Sequence, residues 1–153
     1  VSRFTPVVRV DTGYGTRATH RFVDQLTERL GLDLRVFAPD GQVIGVPPAL
    51  DDPGHADFVR AVEIEPFSRA LDALRADAWL SSIRRYQTEY RRDEPVVRTL
   101  DSGLPKVSPL LDRSARTVAR YAAEHGLPIG PEAFDPTKGE AFRECGLHLA
   151  VGS

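Results

Sequence analysis

The chain has one cysteine, two lysines and no methionine in 153 residues. A single cysteine excludes an internal disulfide and a four-cysteine zinc or iron–sulfur site built by this chain alone. No apolar run approaches the length of a membrane span. The N-terminal VSRFTPVVRV is too polar, and its apolar run too short, for a secretory signal. Cytoplasm is the expected location. A surplus of one charge is also missing: 20 basic and 22 acidic residues give a net charge of −2, which supplies no bulk attraction to nucleic acid or an anionic membrane. Repeats and low-complexity segments are absent, and His20 and His55 show no metal-ligand spacing, so no metal is expected. The chain opens on Val1, either an alternative start codon or an internal boundary.

What remains describes a soluble globular domain large enough for a real core, with 41% apolar and 27% charged residues. Pro6 to Val10 is a β-branched run that ends in the turn Asp11-Thr12-Gly13. From Thr16 to Leu30, Ala18, Phe22, Leu26 and Leu30 recur four apart beside Val23, which predicts a helix stopped by Gly31. Asp33 to Ala38 alternates as a second strand. Strand, helix and strand in this order predict a βαβ unit and a parallel pairing.

Pro39 to His55 is rich in Pro, Gly and Asp and reads as a long surface loop. A helix is predicted over Pro66 to Leu74, opened by the proline at its first position. Trp79 to Ile83 and Pro95 to Leu100 read as further strands. Ser114 to His125 reads as a helix, with Ala115, Val118 and Ala122 on one face and Gly126 ending it. The fold class is therefore α/β, a mainly parallel twisted sheet flanked by helices, in which ligands gather at the carboxyl ends of strands.

Three places carry possible chemistry. The turn Asp11-Thr12-Gly13 follows a strand end, where a hydroxyl and a glycine let backbone approach a nucleotide, although such turns are commonplace. The run RRYQTEYRR holds Arg84, Arg85, Arg91 and Arg92, whose planar guanidinium forks suit phosphate or sulfate oxygens. Tyr86 and Tyr90 offer stacking surfaces. So many guanidinium groups in one loop repel one another, so an oxyanion or carboxylates should lie among them. Lys106, in PKVSP, is one of the two lysines and reads as a point charge just after the last strand. Finally, the only cysteine, Cys145, sits on a polar tail in RECGLH, eight residues before Ser153, with the neighbours of a reachable, ionisable thiol.

Taken in order, DTGY, EIEPFSRAL, AWLSSIRRYQTEYR, LPKVSPLLD, RTVARYAAEHGLP and RECGLH resemble the phosphoadenylyl-sulfate (PAPS) reductase family from about Thr5 to His148. The most specific piece is ECGLH, a C-terminal tail in that family. The resemblance implies an adenine nucleotide alpha hydrolase-like fold over residues 1–142 and a cysteine tail over residues 143–153. It implies that Cys145 attacks the sulfonate sulfur of PAPS and that thioredoxin or glutaredoxin then reduces the S-sulfonated cysteine to release sulfite, with no bound cofactor. It also implies that Asp11, Thr12, Gly13, Arg84, Arg85, Arg91, Lys106 and His148 contact the substrate, the arginines converging with the turn. Arg143 and His148 would favour the thiolate.

The chain also departs from the family pattern. The Ser- and Gly-rich phosphate loop and its strand normally precede the DTG strand, and this sequence starts after them. Glu63 stands where the family places a lysine, and only Gly130 to Phe142 remains between the last helix and the cysteine tail. Two functions follow from this mixture. One is a short PAPS reductase; the other is a degenerate relative acting as a binding or assembly subunit, or as a cysteine-based sulfur carrier. A sheet short of a strand leaves apolar surface to cover, so a homo-oligomer, or a partner supplying the missing segment, is expected.

Overall fold

Val7–Val10 (β1) is a β-branched run interrupted by one arginine, and it forms the first strand of the computed structural model, which describes residues 5–41 and 45–130. Thr16 caps the helix that follows, α1 (Arg17–Leu30), its hydroxyl accepting the Thr19 N–H at 3.1 Å. Gly31, at φ 59°, closes α1 in the left-handed region, and the chain returns as β2 (Leu34–Phe37). β1 and β2 pair in parallel, from Val7 opposite Leu34 to Val10 opposite Phe37, so the predicted βαβ unit is present.

The helix predicted from Pro66 begins much earlier. α2 (His55–Val59) runs into a π turn over Arg60–Ile64 and on into α3 (Glu65–Ala73), which places Pro66 inside a continuous helical segment. Proline has no N–H to donate to the carbonyl four residues back, and its ring collides with that carbonyl. The π turn answers this: the Glu65 N–H reaches back to Arg60 O and widens the helix just before the proline. Val59, Val62, Glu63, Pro66, Phe67 and Ala70 are buried along one side, a helical stripe that crosses the proline.

A second sheet holds β3 (Trp79–Leu80), β4 (Val97–Thr99) and β5 (Pro105–Val107) in the order β3-β5-β4. β3 runs parallel to β5, while β4 and β5 form an antiparallel hairpin turned at Gly103, where φ is 83°. The ladder of the strand predicted over Trp79 to Ile83 is only two residues long, and PKVSP, predicted to follow the last strand, supplies the middle strand instead. The α/β class holds, with two of the three pairings parallel, but the described strands form two sheets with no ladder between them. Helix α3 spans both: it packs on β1 and β2, and its Phe67 ring lies 4.8 Å from that of Trp79.

The last described helix, α4 (Ala115–Glu124), is capped by Ser114 and tied to α1 by Arg29 Nη2 donating to Gly126 O. The apolar core consists of Val59, Val62, Phe67, Ala70, Ile83, Leu100 and Leu111, with Pro66 beside them. No described helix is long and apolar enough to cross a membrane.

Candidate functional site

The arginine loop leaves β3 in extended conformation at Arg84 and turns back through two short 3-10 turns, Arg85–Gln87 and Glu89–Arg91. Its arginines are held in different ways. Arg85 Nε meets Asp112 Oδ1 at 2.9 Å, its Nη1 donates to the carbonyls of Arg92 and Glu94, and its backbone N–H donates to Leu111 O. Arg85 thus fastens both ends of the loop to the segment before α4. Arg92 pairs with Glu89 on the surface. Arg91 is 5% exposed, and its Nη1 donates to Gln87 Oε1. Arg84 is half-buried and its guanidinium makes no ion pair with a described residue. The carboxylates expected among these cations are present, in Asp112 and Glu89.

The turn after β1 is shaped by its aspartate. Asp11 Oδ1 accepts the Gly13 N–H at 3.2 Å, and Gly13 takes φ 85°, a conformation glycine adopts without steric cost. Behind it, His20 Nδ1 lies 3.3 Å from Arg9 Nη2 and 4.0 Å from Asp11 Oδ2. A Cβ on Gly15 would stand 2.9 Å from His20 Nε2, so a larger residue there would push the imidazole aside. The Tyr14 ring rests edge-on against Phe58 of α2, 5.8 Å between centroids. The turn and the arginine loop each follow the carboxyl end of a parallel strand, β1 and β3, but the partners of Asp11, Thr12 and Gly13 do not include any residue of the loop.

Lys106 differs most from its reading as a surface charge. It lies in the central strand β5, 4% exposed, with Nζ 3.7 Å from Glu94 Oε1 and 5.3 Å from the centre of the Trp79 ring. Glu94 is buried too and also meets Arg98 at 3.3 Å. Strand pairing and a buried carboxylate explain this placement; the sequence shows the lysine but not the strand under it. Cys145, Arg143 and His148 lie outside the described residues. Among the described residues, no three His, Asp or Glu side chains gather as a metal site would require.

Four residues escaped the sequence reading: Gln87, Glu94, Asp112 and His20. Glu94 follows the arginine run beside Asp93, a pattern that points to internal pairing, whereas Asp112 lies far along the chain and reaches Arg85 only through the fold. His20 lies on α1 and meets Arg9 only through the fold.

Comparison with known proteins places this architecture. The fold is α/β, and it overlays a phosphoadenylyl-sulfate (PAPS) reductase from Candida auris, solved as a phosphate complex, with a TM-score of 0.69 over 82% of this chain at 22% identity. Residues 1–131 match the model of the phosphoadenosine phosphosulfate reductase domain, and the chain belongs to that family. Among curated relatives, it is 39% identical over 132 residues to the phosphoadenosine 5′-phosphosulfate reductase of Alkalilimnicola ehrlichii, covering 82% of this chain. It is 35% identical to the enzyme of the same name from Aliivibrio salmonicida, covering 94% of this chain. The chain spans 54% of the first relative's length, 68% of the second's and 63% of the Candida auris chain.

Proposed function

We propose that this chain reduces phosphoadenylyl sulfate to sulfite and adenosine 3′,5′-bisphosphate with an external dithiol. The match of residues 1–131 to the reductase family carries this reading. The Cys145 thiolate attacks the sulfonate sulfur, the S–O bond to the bisphosphate breaks, and the nucleotide leaves with the electron pair. A thiolate of thioredoxin or glutaredoxin then attacks the cysteine sulfur and sulfite departs. The reductant's second thiol resolves the mixed disulfide, leaving an oxidised reductant and a free Cys145. One cysteine suffices because the second and third thiols come from the partner, and a reductant of this kind fits a cytoplasmic location. No bound cofactor enters the scheme.

In this reading Arg84 and Arg91 neutralise phosphate and sulfonate charge, and the Thr12–Gly13 backbone takes the nucleotide side. Asp11 holds that turn in shape. Arg85 and Lys106, tied to Asp112 and Glu94, frame the site from within. Arg143 and His148 favour the thiolate of Cys145 within the segment over residues 143–153, which follows the domain read over residues 1–142. Among the described residues β1 pairs only with β2, and its other edge supports an assembly in which a second copy or a partner segment adds to this sheet. The second reading is a sulfur carrier or assembly subunit without turnover, and the open edge of β1 supports its assembly part.

Thioredoxin decides between them. With saturating PAPS and reduced thioredoxin, the wild type should release sulfite and Cys145→Ser should not. A cysteine adduct without thioredoxin-dependent sulfite would establish the carrier instead.

A further inference from the structure

Gln87 is the uncharged acceptor between two arginines of the loop, three residues after Arg84 and four before Arg91. Its side-chain oxygen accepts the Arg84 backbone N–H at 2.8 Å and Arg91 Nη1 at 2.5 Å. Both partners are obligate donors, so the amide oxygen, with its two lone pairs, must face them. One atom therefore fixes the point where the chain leaves β3 and the guanidinium of a buried arginine.

We infer that Gln87 is a positioning residue of the oxyanion site, holding Arg84 and Arg91 in place while adding no negative charge between them. Elsewhere in the loop, Arg85 pairs with Asp112 and Arg92 with Glu89, both carboxylates. A carboxylate at position 87 would make the same two hydrogen bonds, yet it would set a charge where a phosphate or sulfonate must approach. The inference rests on the reading that Arg84 and Arg91 face the substrate, and it adds the residue that orders them.

The test titrates adenosine 3′,5′-bisphosphate by calorimetry into the wild type, Arg84→Ala, Gln87→Ala and Gln87→Glu, with thermal unfolding followed on the same samples. Gln87→Ala should bind about tenfold more weakly, the scale of a charge-assisted hydrogen bond. Gln87→Glu should lose at least as much affinity while unfolding at the wild-type temperature, a split that a merely structural role would not produce. Wild-type affinity in Gln87→Glu, or a loss of affinity that only tracks a loss of stability in both variants, overturns the inference alone. A wild type that does not bind the bisphosphate, or binds it no better than Arg84→Ala does, overturns the reading beneath it and the inference together.

Discussion

The two parts of this molecule differ in how much they bury. The β1–α1–β2 unit and α4 contain no fully buried residue, whereas every buried side chain among the described residues lies between Val59 and Leu111. The helices with side-chain caps, α1 and α4, lie in the lightly packed part, while α2 and α3 have none, so local regularity does not explain the difference. Tertiary packing does: α3 buries Pro66, Phe67 and Ala70 and sets Phe67 against Trp79 of β3, while β1 and β2 form a sheet of only two strands. The candidate site divides along the same line. Its arginine loop stands on the packed part, fastened by Arg85 to Asp112 and backed by Leu111. Its turn at Asp11-Thr12-Gly13 stands on the lightly packed part.

The contrast is broken most directly in the core. Leu111 is fully buried, so Leu111→Ala should cost about 3 kcal/mol, while Leu26→Ala on half-buried α1 should cost about 1 kcal/mol. Urea denaturation of the two variants measures both; equal losses would remove the distinction between the parts. A smaller effect separates the two acids that hold cations in the packed part. Glu94→Gln withdraws the charge from a buried partner of Lys106 and should cost about 2 kcal/mol, whereas Asp112→Asn, at a pair whose acid is mostly exposed, should cost under about 1 kcal/mol. Denaturation midpoints rank these variants directly.

The smallest effect lies where the parts join. Arg69 of α3 donates to Ala38 O just after β2 and to both carboxylate oxygens of Glu65. Those hydrogen bonds from Arg69 hold the Glu65 carboxyl below its usual pKa of 4.5. A carboxyl with a folded-state pKa below its unfolded value contributes stability above the unfolded value and loses it as pH falls through the folded one. Glu65→Gln should therefore flatten part of the acid-side loss of stability below about pH 4.5 and leave the slope near neutrality unchanged. Thermal midpoints measured across the acid range in both proteins show whether the slope changes.

The lightly packed part was the more legible in sequence. PVVRV, the four-apart apolar residues up to Leu30 and Gly31 predict a βαβ unit because strand, helix and cap signals all agree. The packed part was harder to read because its signals conflict. Pro66 reads as a helix start, yet a π turn lets the helix pass through it, and the stripe from Val59 to Ala70 is visible only once that is allowed. Lys106 stands in a short strand that no propensity marks, because its place depends on pairing with β3 and β4. The arginines were legible as a cluster, but which of them Asp112, the Glu94 carbonyl and Gln87 fasten is visible only in three dimensions.

The central claim is that Cys145 takes the sulfonate from PAPS, and intact-mass spectrometry tests it most directly. After incubation with saturating PAPS and no reductant, the wild type should gain the mass of one sulfonate and Cys145→Ser should gain none, since a serine hydroxyl does not supply a thiolate near neutral pH. An unmodified wild type, or an adduct that persists in Cys145→Ser, would contradict it.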